Sequence, residues 1–230
     1  MQTQSFGPIL RVQRLGTNEI LKMKKTITNI QIESKHSSRR TLFLDGECFS
    51  SVDASLITQF GLRIGLEIEE DALQKLIQED EVAKAKSYAF DLLLSQNYSK
   101  RQMNDKLKRK GYSQHAIDAT LERLEQLGYI KDEVYAHDWV DSHRRSRPRG
   151  KKLLKHELMN KGIDKTTVDR VLSEIDDAEE ASLALGAAQK QAARYKSLPP
   201  DVAKRRLYSF LLRRGFDYET IQRTVEQVLK

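Results

Sequence analysis

The segment LKRKGYSQHAIDATL (Leu107–Leu121) is written twice more with other letters and the same chemistry, as LMNKGIDKTTVDRVL (Leu158–Leu172) and LLRRGFDYETIQRTV (Leu211–Val225). The glycines Gly111, Gly162 and Gly215 lie 51 and 53 residues apart. A recurrence at about 50 residues, each unit long enough for three helices, is the mark of a tandem-repeat fold. Leu107, Leu158 and Leu211 stand four residues before the glycine, and Met103, Leu154 and Leu207 eight before it. That spacing places them on one helical face. The glycine falls where a helix ends in a left-handed residue, which only glycine adopts cheaply. An apolar residue follows (Tyr112, Ile163, Phe216), then Ser113, Asp164 or Asp217, whose side-chain oxygen can cap the next helix. Four residues on, Ile117, Val168 and Ile221 resume the core face. The device is a helix–glycine–apolar–cap–helix corner.

Upstream the period changes from helical to alternating. ITNIQI (Ile27–Ile32) and TLFLDGECFSSV (Thr41–Val52) read as strands, with Asp45-Gly46 as a tight hairpin turn. Three strands are expected near 26–33, 40–45 and 47–52, then a short helix near 53–60 and a loop through GLRIGLEI (Gly61–Ile68). From Asp71 onward helix dominates. The expected organisation is an irregular tail (1–24), a β-rich lead (25–70) and helical repeats at 71–134, 135–177 and 178–230. The fold class is therefore mainly α, tandem three-helix repeats behind a small β-rich segment.

Charge separates two uses of the corner. Residues 1–80 hold ten Lys/Arg against eleven Asp/Glu, so the net +7 of the chain resides wholly in residues 81–230. A DNA-reading helix-turn-helix would place its second helix in the major groove. The helix after each corner is instead mixed to acidic, with Asp118, Glu122 and Glu125 in the first unit and Asp169, Glu174, Asp176 and Asp177 in the second. This favours a structural corner. The helix before each corner is basic: Lys100, Arg101, Lys106, Lys108, Arg109 and Lys110 in the first; Arg144, Arg145, Arg147, Arg149, Lys151, Lys152 and Lys155, within a helix read as His143–Lys155, in the second; Lys204, Arg205, Arg206, Arg213 and Arg214 in the third. Charge repeating in phase with the units suits an extended polyanionic partner. The central segment, which contains no acid, is expected to be exposed and foremost in that contact.

Catalytic chemistry finds no residues to carry it. GIDKTT (Gly162–Thr167) lacks phosphate-loop spacing. His137 and Asp141 can share a helix face without a third metal ligand, and the carboxylates form no isolated acid–base pair. Tyr88, Tyr129, Tyr135 and Trp139 fall at helix-face or junction positions and are expected in cores. Cys48 is the single cysteine, and no apolar run approaches membrane-span length. A cytoplasmic, non-catalytic, monomeric protein without cofactor or membrane contact is expected.

The run LGYIKDEVYAHDWV (Leu127–Val140), an Arg-rich segment and KKLLKHELMNKGI (Lys151–Ile163), together with AKSYAFDLLLSQNYSKRQMNDKLKRKGY (Ala85–Tyr112), resemble the RecX family, bacterial regulators of the recombinase RecA. The resemblance covers about residues 82–230, and the β-rich lead is similar to longer members. RSRPRGKK (Arg145–Lys152) departs from the family's short Gly-Pro step. The resemblance implies a curved array of three-helix repeats that binds along the groove of the RecA–single-stranded DNA filament. It also implies inhibition of RecA ATP hydrolysis, strand exchange and coprotease activity, with weak, non-sequence-specific DNA binding. A helical-repeat protein that binds nucleic acid without any RecA-specific role is the alternative.

Overall fold

In the computed structural model, residues 24–34 and 38–229 are described, so the expected tail lies almost wholly outside the described residues. Contacts divide the chain at Ile77/Gln78 into an N-terminal unit and a helical unit.

The N-terminal unit is an antiparallel sheet of order β3-β2-β1-β4. Strands β1 (Lys24–Ile32), β2 (Arg39–Leu44) and β3 (Glu47–Asp53) match the alternating segments. Asp45 and Gly46 both take positive φ, 51° and 87°, the backbone twist that joins β2 to β3 in a two-residue turn. Asp53 caps the short helix α1 (Ala54–Gln59) by accepting from the Ser55 N–H at 2.9 Å. The fourth strand, β4 (Glu67–Glu69), lies in the segment read as a loop. Three residues are too short to show a period, and β4 is held from outside by pairing with Lys24–Thr26 of β1. Ile27, Leu42, Leu44, Val52, Leu56 and Ile68 form the core beneath the sheet, joined by Leu73 and Leu76 from the start of α2 (Glu70–Leu93).

The helical unit consists of three successive three-helix groups with separate cores. The end of α2, α3 (Lys100–Lys110) and α4 (Gln114–Gln126) make the first. The second comprises α5 (Asp132–Ser146), α6 (Lys151–Asn160) and α7 (Lys165–Ser173). The third comprises α8 (Asp177–Ala192), α9 (Pro200–Arg213) and α10 (Tyr218–Val228). Each expected corner is present with the same hydrogen bonds. The glycine N–H reaches back to Lys108, Met159 or Leu212, and the next N–H to Leu107, Leu158 or Leu211. These bonds satisfy carbonyls that the helix end leaves open. Gly111, Gly162 and Gly215 have φ of 93°, 87° and 80°. Ser113, Asp164 and Asp217 accept from the N–H three residues on, at 3.3, 2.9 and 2.9 Å. Ile163 and Phe216 are buried and Tyr112 is half-buried, so the apolar residue after each glycine folds inward.

One helix expectation is corrected. His143–Lys155 is not one basic helix: α5 ends at Ser146, and α6 starts at Lys151. Pro148 forces the break, because a proline pushes the preceding residue out of the helical region. Arg147 accordingly has φ −145° and ψ 109°. Similarly, Asp176 and Asp177 do not belong to the third helix of the second repeat; Asp176 caps α8, and Asp177 is its first residue.

Candidate nucleic-acid interface

The basic side chains of α3 stand on its outer face because Met103 and Leu107 turn the opposite face into the core. Arg101, Lys108, Arg109 and Lys110 are exposed, and Lys106 is half-buried. Lys106 Nζ lies 5.7 Å from the centre of the Tyr98 ring, and Lys110 Nζ 5.4 Å from that of Tyr88, so aromatic faces help place both ammonium groups. Arg109 Nε donates to the Asp105 carbonyl at 3.2 Å. Lys100 is exposed as well but is paired with Glu125 of α4 at 2.9 Å.

In α9 the core face is Ala203, Leu207 and Leu211. Lys204, Arg205, Arg206 and Arg213 are exposed, and no ion pair joins them to another described residue. Arg214 is half-buried, stacked 5.2 Å from the Phe210 ring centre. Arg205, Arg206 and Arg213 line a groove of about 550 Å3 with Ser209, Val202 and Tyr195.

The central segment departs from expectation. Arg144 sits in the last turns of α5, only 16% exposed, paired with Glu179 at 3.4 Å. Arg149, 18% exposed, pairs with Glu157. Lys151 reaches Asp177 at 2.7 Å, and Lys155 reaches Asp169 at 2.5 Å. The expectation that these arginines are all exposed therefore fails for Arg144 and Arg149. A segment without acids in sequence is supplied with them from α6, α7 and α8. Arg147 and Lys152 remain exposed, while Arg145 lies in the last turn of α5.

Carboxylates also join successive repeats. Asp132 of α5 accepts the Lys100 N–H at the start of α3 (2.8 Å), and Glu180 of α8 accepts the Lys151 N–H at the start of α6 (2.9 Å). Burial pushes both carboxyls up from the ordinary range, while the hydrogen bonds from Lys100 and Lys151 act in the opposite direction. Ser99, fully buried, donates to the Lys161 carbonyl at 2.6 Å. Gly150 N–H donates to the Arg214 carbonyl at 2.8 Å, and Lys152 N–H to that of Gly215 at 3.1 Å. A Cβ on Gly150 would lie 2.5 Å from the Gly215 oxygen, so this seam requires glycine.

The aromatics are divided. Tyr135 is buried, and Trp139 is stacked 3.8 Å from the His143 ring with Lys161 Nζ 4.3 Å from its centre. Tyr129 is 56% exposed and edge-on to Phe90, contrary to a core position. Sequence reasoning passed over Leu212 and Tyr218, which are exposed on the third repeat; Tyr208, half-buried against its core, meets the Tyr218 ring edge-on. The signal was Leu212, an apolar residue outside the i, i+4 core series of Ala203, Leu207 and Leu211. Among the described residues no cluster of His, Cys, Asp and Glu is placed to hold a metal, and no helix is long and apolar enough to cross a membrane.

Comparison with known proteins meets the same three groups of helices. Family models described as the first, second and third three-helix domains of RecX match residues 85–124, 132–172 and 178–225. The chain is 39% identical over 147 residues to the regulatory protein RecX of Chlorobium phaeobacteroides (strain BS1), covering 64% of this chain and 95% of that one. It is 30% identical over 202 residues to the regulatory protein RecX of Bacillus subtilis (strain 168), covering 88% and 76%. A crystal structure of regulatory protein RecX superposes with a TM-score of 0.76 at 25% identity, covering 88% of this chain and 99% of that one. With its three corners, its three matched domains and this superposition, the chain belongs to the RecX family.

Proposed function

We propose that this protein is a non-catalytic regulator that binds the RecA–single-stranded DNA filament and lowers RecA ATP hydrolysis, strand exchange and coprotease activity. Family membership supports the regulatory role. The observation that carries the contact surface is the division of charge. The exposed cations of α3 (Arg101, Lys108, Arg109, Lys110) and α9 (Lys204, Arg205, Arg206, Arg213) are open to a partner, whereas the central segment is largely matched from within. Lysines there meet phosphates or acidic filament residues as point charges, and arginines can do so through two hydrogen bonds. Arg147 and Lys152 are the central residues that join them.

The alternative, a nucleic-acid-binding repeat protein with no RecA-specific role, rests on the same cations. RecA ATP hydrolysis on single-stranded DNA, measured with substoichiometric amounts of this protein, separates the two. Strong inhibition well below the amount that coats the DNA is expected. Inhibition that appears only at saturation of free DNA and vanishes with salt, as simple phosphate binding does, would leave only the alternative.

A further inference from the structure

We infer that a cavity between the first and second repeats is a receptor for one carboxylate side chain of a protein partner, received by the Lys161 ammonium and the Trp139 indole N–H. The inference goes beyond RecA regulation, names residues outside the basic set assigned above, and holds whatever the partner's identity. The cavity, of about 270 Å3, is lined by Tyr135, Trp139 and His143 of α5, Lys161 at the end of α6, and Asn97 and Gln102 of the first repeat. Tyr135, Trp139 and His143 stand at i, i+4 and i+8 on α5, so their rings form a ladder with centroids 6.1 and 3.8 Å apart. His143 Nδ1 lies 2.8 Å from the Trp139 carbonyl oxygen, which fixes the imidazole against the indole. Lys161 Nζ lies 4.3 Å from the Trp139 ring centre. The Lys161 backbone is anchored by the fully buried Ser99, whose hydroxyl donates to its carbonyl at 2.6 Å.

Two donors here lack an acceptor. The Trp139 indole N–H is buried and donates to no described residue, a cost that folded proteins rarely leave standing. The Lys161 ammonium has no ion pair to another described residue. The indole attracts its charge without accepting from all three of its N–H groups. A carboxylate answers both needs, with acceptor oxygens and a single negative charge for a single unpaired cation. The cavity falls below the roughly 300 Å3 at which cofactor-sized sites begin, so it suits one side chain. Its one acidic lining residue, Asp138, is exposed and accepts from Asn97 Nδ2 at 3.3 Å. Asp138 selects against a nucleic-acid strand, whose neighbouring phosphates would meet it, and not against a carboxylate flanked by neutral peptide groups.

Trp139 is the only tryptophan in the chain, so fluorotryptophan incorporated into the full chain gives one fluorine NMR signal from the cavity wall. The probes, at constant ionic strength, are N-acetylglutamate α-methylamide, its glutamine counterpart and dimethyl phosphate. The glutamate compound should shift the signal saturably. The neutral glutamine compound and dimethyl phosphate should each bind about tenfold more weakly or worse. Lys161→Met should weaken the glutamate compound by about tenfold, with helical content retained by circular dichroism. Absence of a saturable shift, equal binding of the glutamine compound, or a Lys161→Met titration like that of the wild type overturns the inference. Dimethyl phosphate binding as tightly as the glutamate compound also overturns it, by assigning the cavity to a nucleic-acid backbone. Comparing the probes on the wild type decides the matter even where the variant fails to fold. Regulation of RecA stands or falls separately, on whether the wild-type chain inhibits RecA ATP hydrolysis.

Discussion

Glu180, on α8, accepts the first backbone N–H of α6, at Lys151, across 2.9 Å. Gly150 precedes that helix and has no side chain to cap it. The first turn of a helix presents unsatisfied N–H groups and a partial positive charge, so a buried carboxylate from the next repeat supplies what the local residue cannot. Asp132 repeats the arrangement one unit earlier, on Lys100. Successive repeats, whose cores are separate, are therefore registered by polar contacts.

Replacing Glu180 by Ala should lower stability by about 1–3 kcal/mol, the cost of leaving a buried donor without its partner. Urea unfolding measures it; an unchanged midpoint would show the cap to be dispensable. Glu180→Gln should retain most of the stability, since the amide oxygen can still accept.

The pH dependence of Glu180 has a definite sign. Burial raises its carboxyl in the folded state above the ordinary value of 4.5. The folded state thus holds a proton that the unfolded state has released. Its stability contribution is complete below the unfolded value and is lost as pH rises through the folded one. The stability of the wild type relative to Glu180→Gln should therefore be greater near the low end of that window than at neutral pH. A difference that is flat or of opposite slope contradicts the burial.

Asp217 should behave in the opposite way. Burial pushes its carboxyl up, but hydrogen bonds from the Thr220 hydroxyl and N–H outweigh this and hold it below 3.8. Its contribution is present above that value and is lost as pH falls through the lowered one. Asp217→Ala should cost about 1 kcal/mol at neutral pH, and Asp217→Asn a few tenths. Thermal unfolding of both variants at neutral and acid pH checks this, with the Ala penalty shrinking in acid.

The corner glycines should rank by what surrounds them. Gly111 has nothing within 4 Å of the place a Cβ would take, so Gly111→Ala carries only the left-handed penalty, about 1–2 kcal/mol. At Gly215 a Cβ would lie 2.3 Å from the Leu153 backbone nitrogen, which cannot move aside. Gly215→Ala should be the more damaging of the two by urea unfolding; equal costs would show that the seam between the second and third repeats yields.

The central cations test pairing against exposure. Arg149→Glu faces Glu157 with a like charge and should destabilise by on the order of 1–2 kcal/mol. The swap R149E/E157R should recover most of it, whereas Lys152→Glu, at an exposed site, should leave unfolding unchanged. Failure of the swap to recover stability would mean that the pair contributes little.

Much of the fold could be read from residue order because its signals are local. The Leu–Gly–apolar–cap spacing dictates a corner wherever it occurs, since the left-handed glycine, the fold-back and the cap all act within a few residues. Asp45-Gly46 likewise sets its hairpin. The fourth strand was hidden because Glu67–Glu69 is a strand only through its pairing with Lys24–Thr26. The helix break at Pro148 was passed over because the run of basic residues continued across it.

Residue order by itself determined the three repeats, their corners and the placement of basic residues before each glycine, all consequences of helix periodicity and glycine stereochemistry. Tertiary structure decided which of those charges remain available. Coulomb attraction acts through space, so Glu179, Asp177 and Asp169 reach Arg144, Lys151 and Lys155 across helices that linear counting treats as separate. The same folding leaves Arg205, Arg206 and Arg213 around one groove, because α9 buries Ala203, Leu207 and Leu211 on its opposite face.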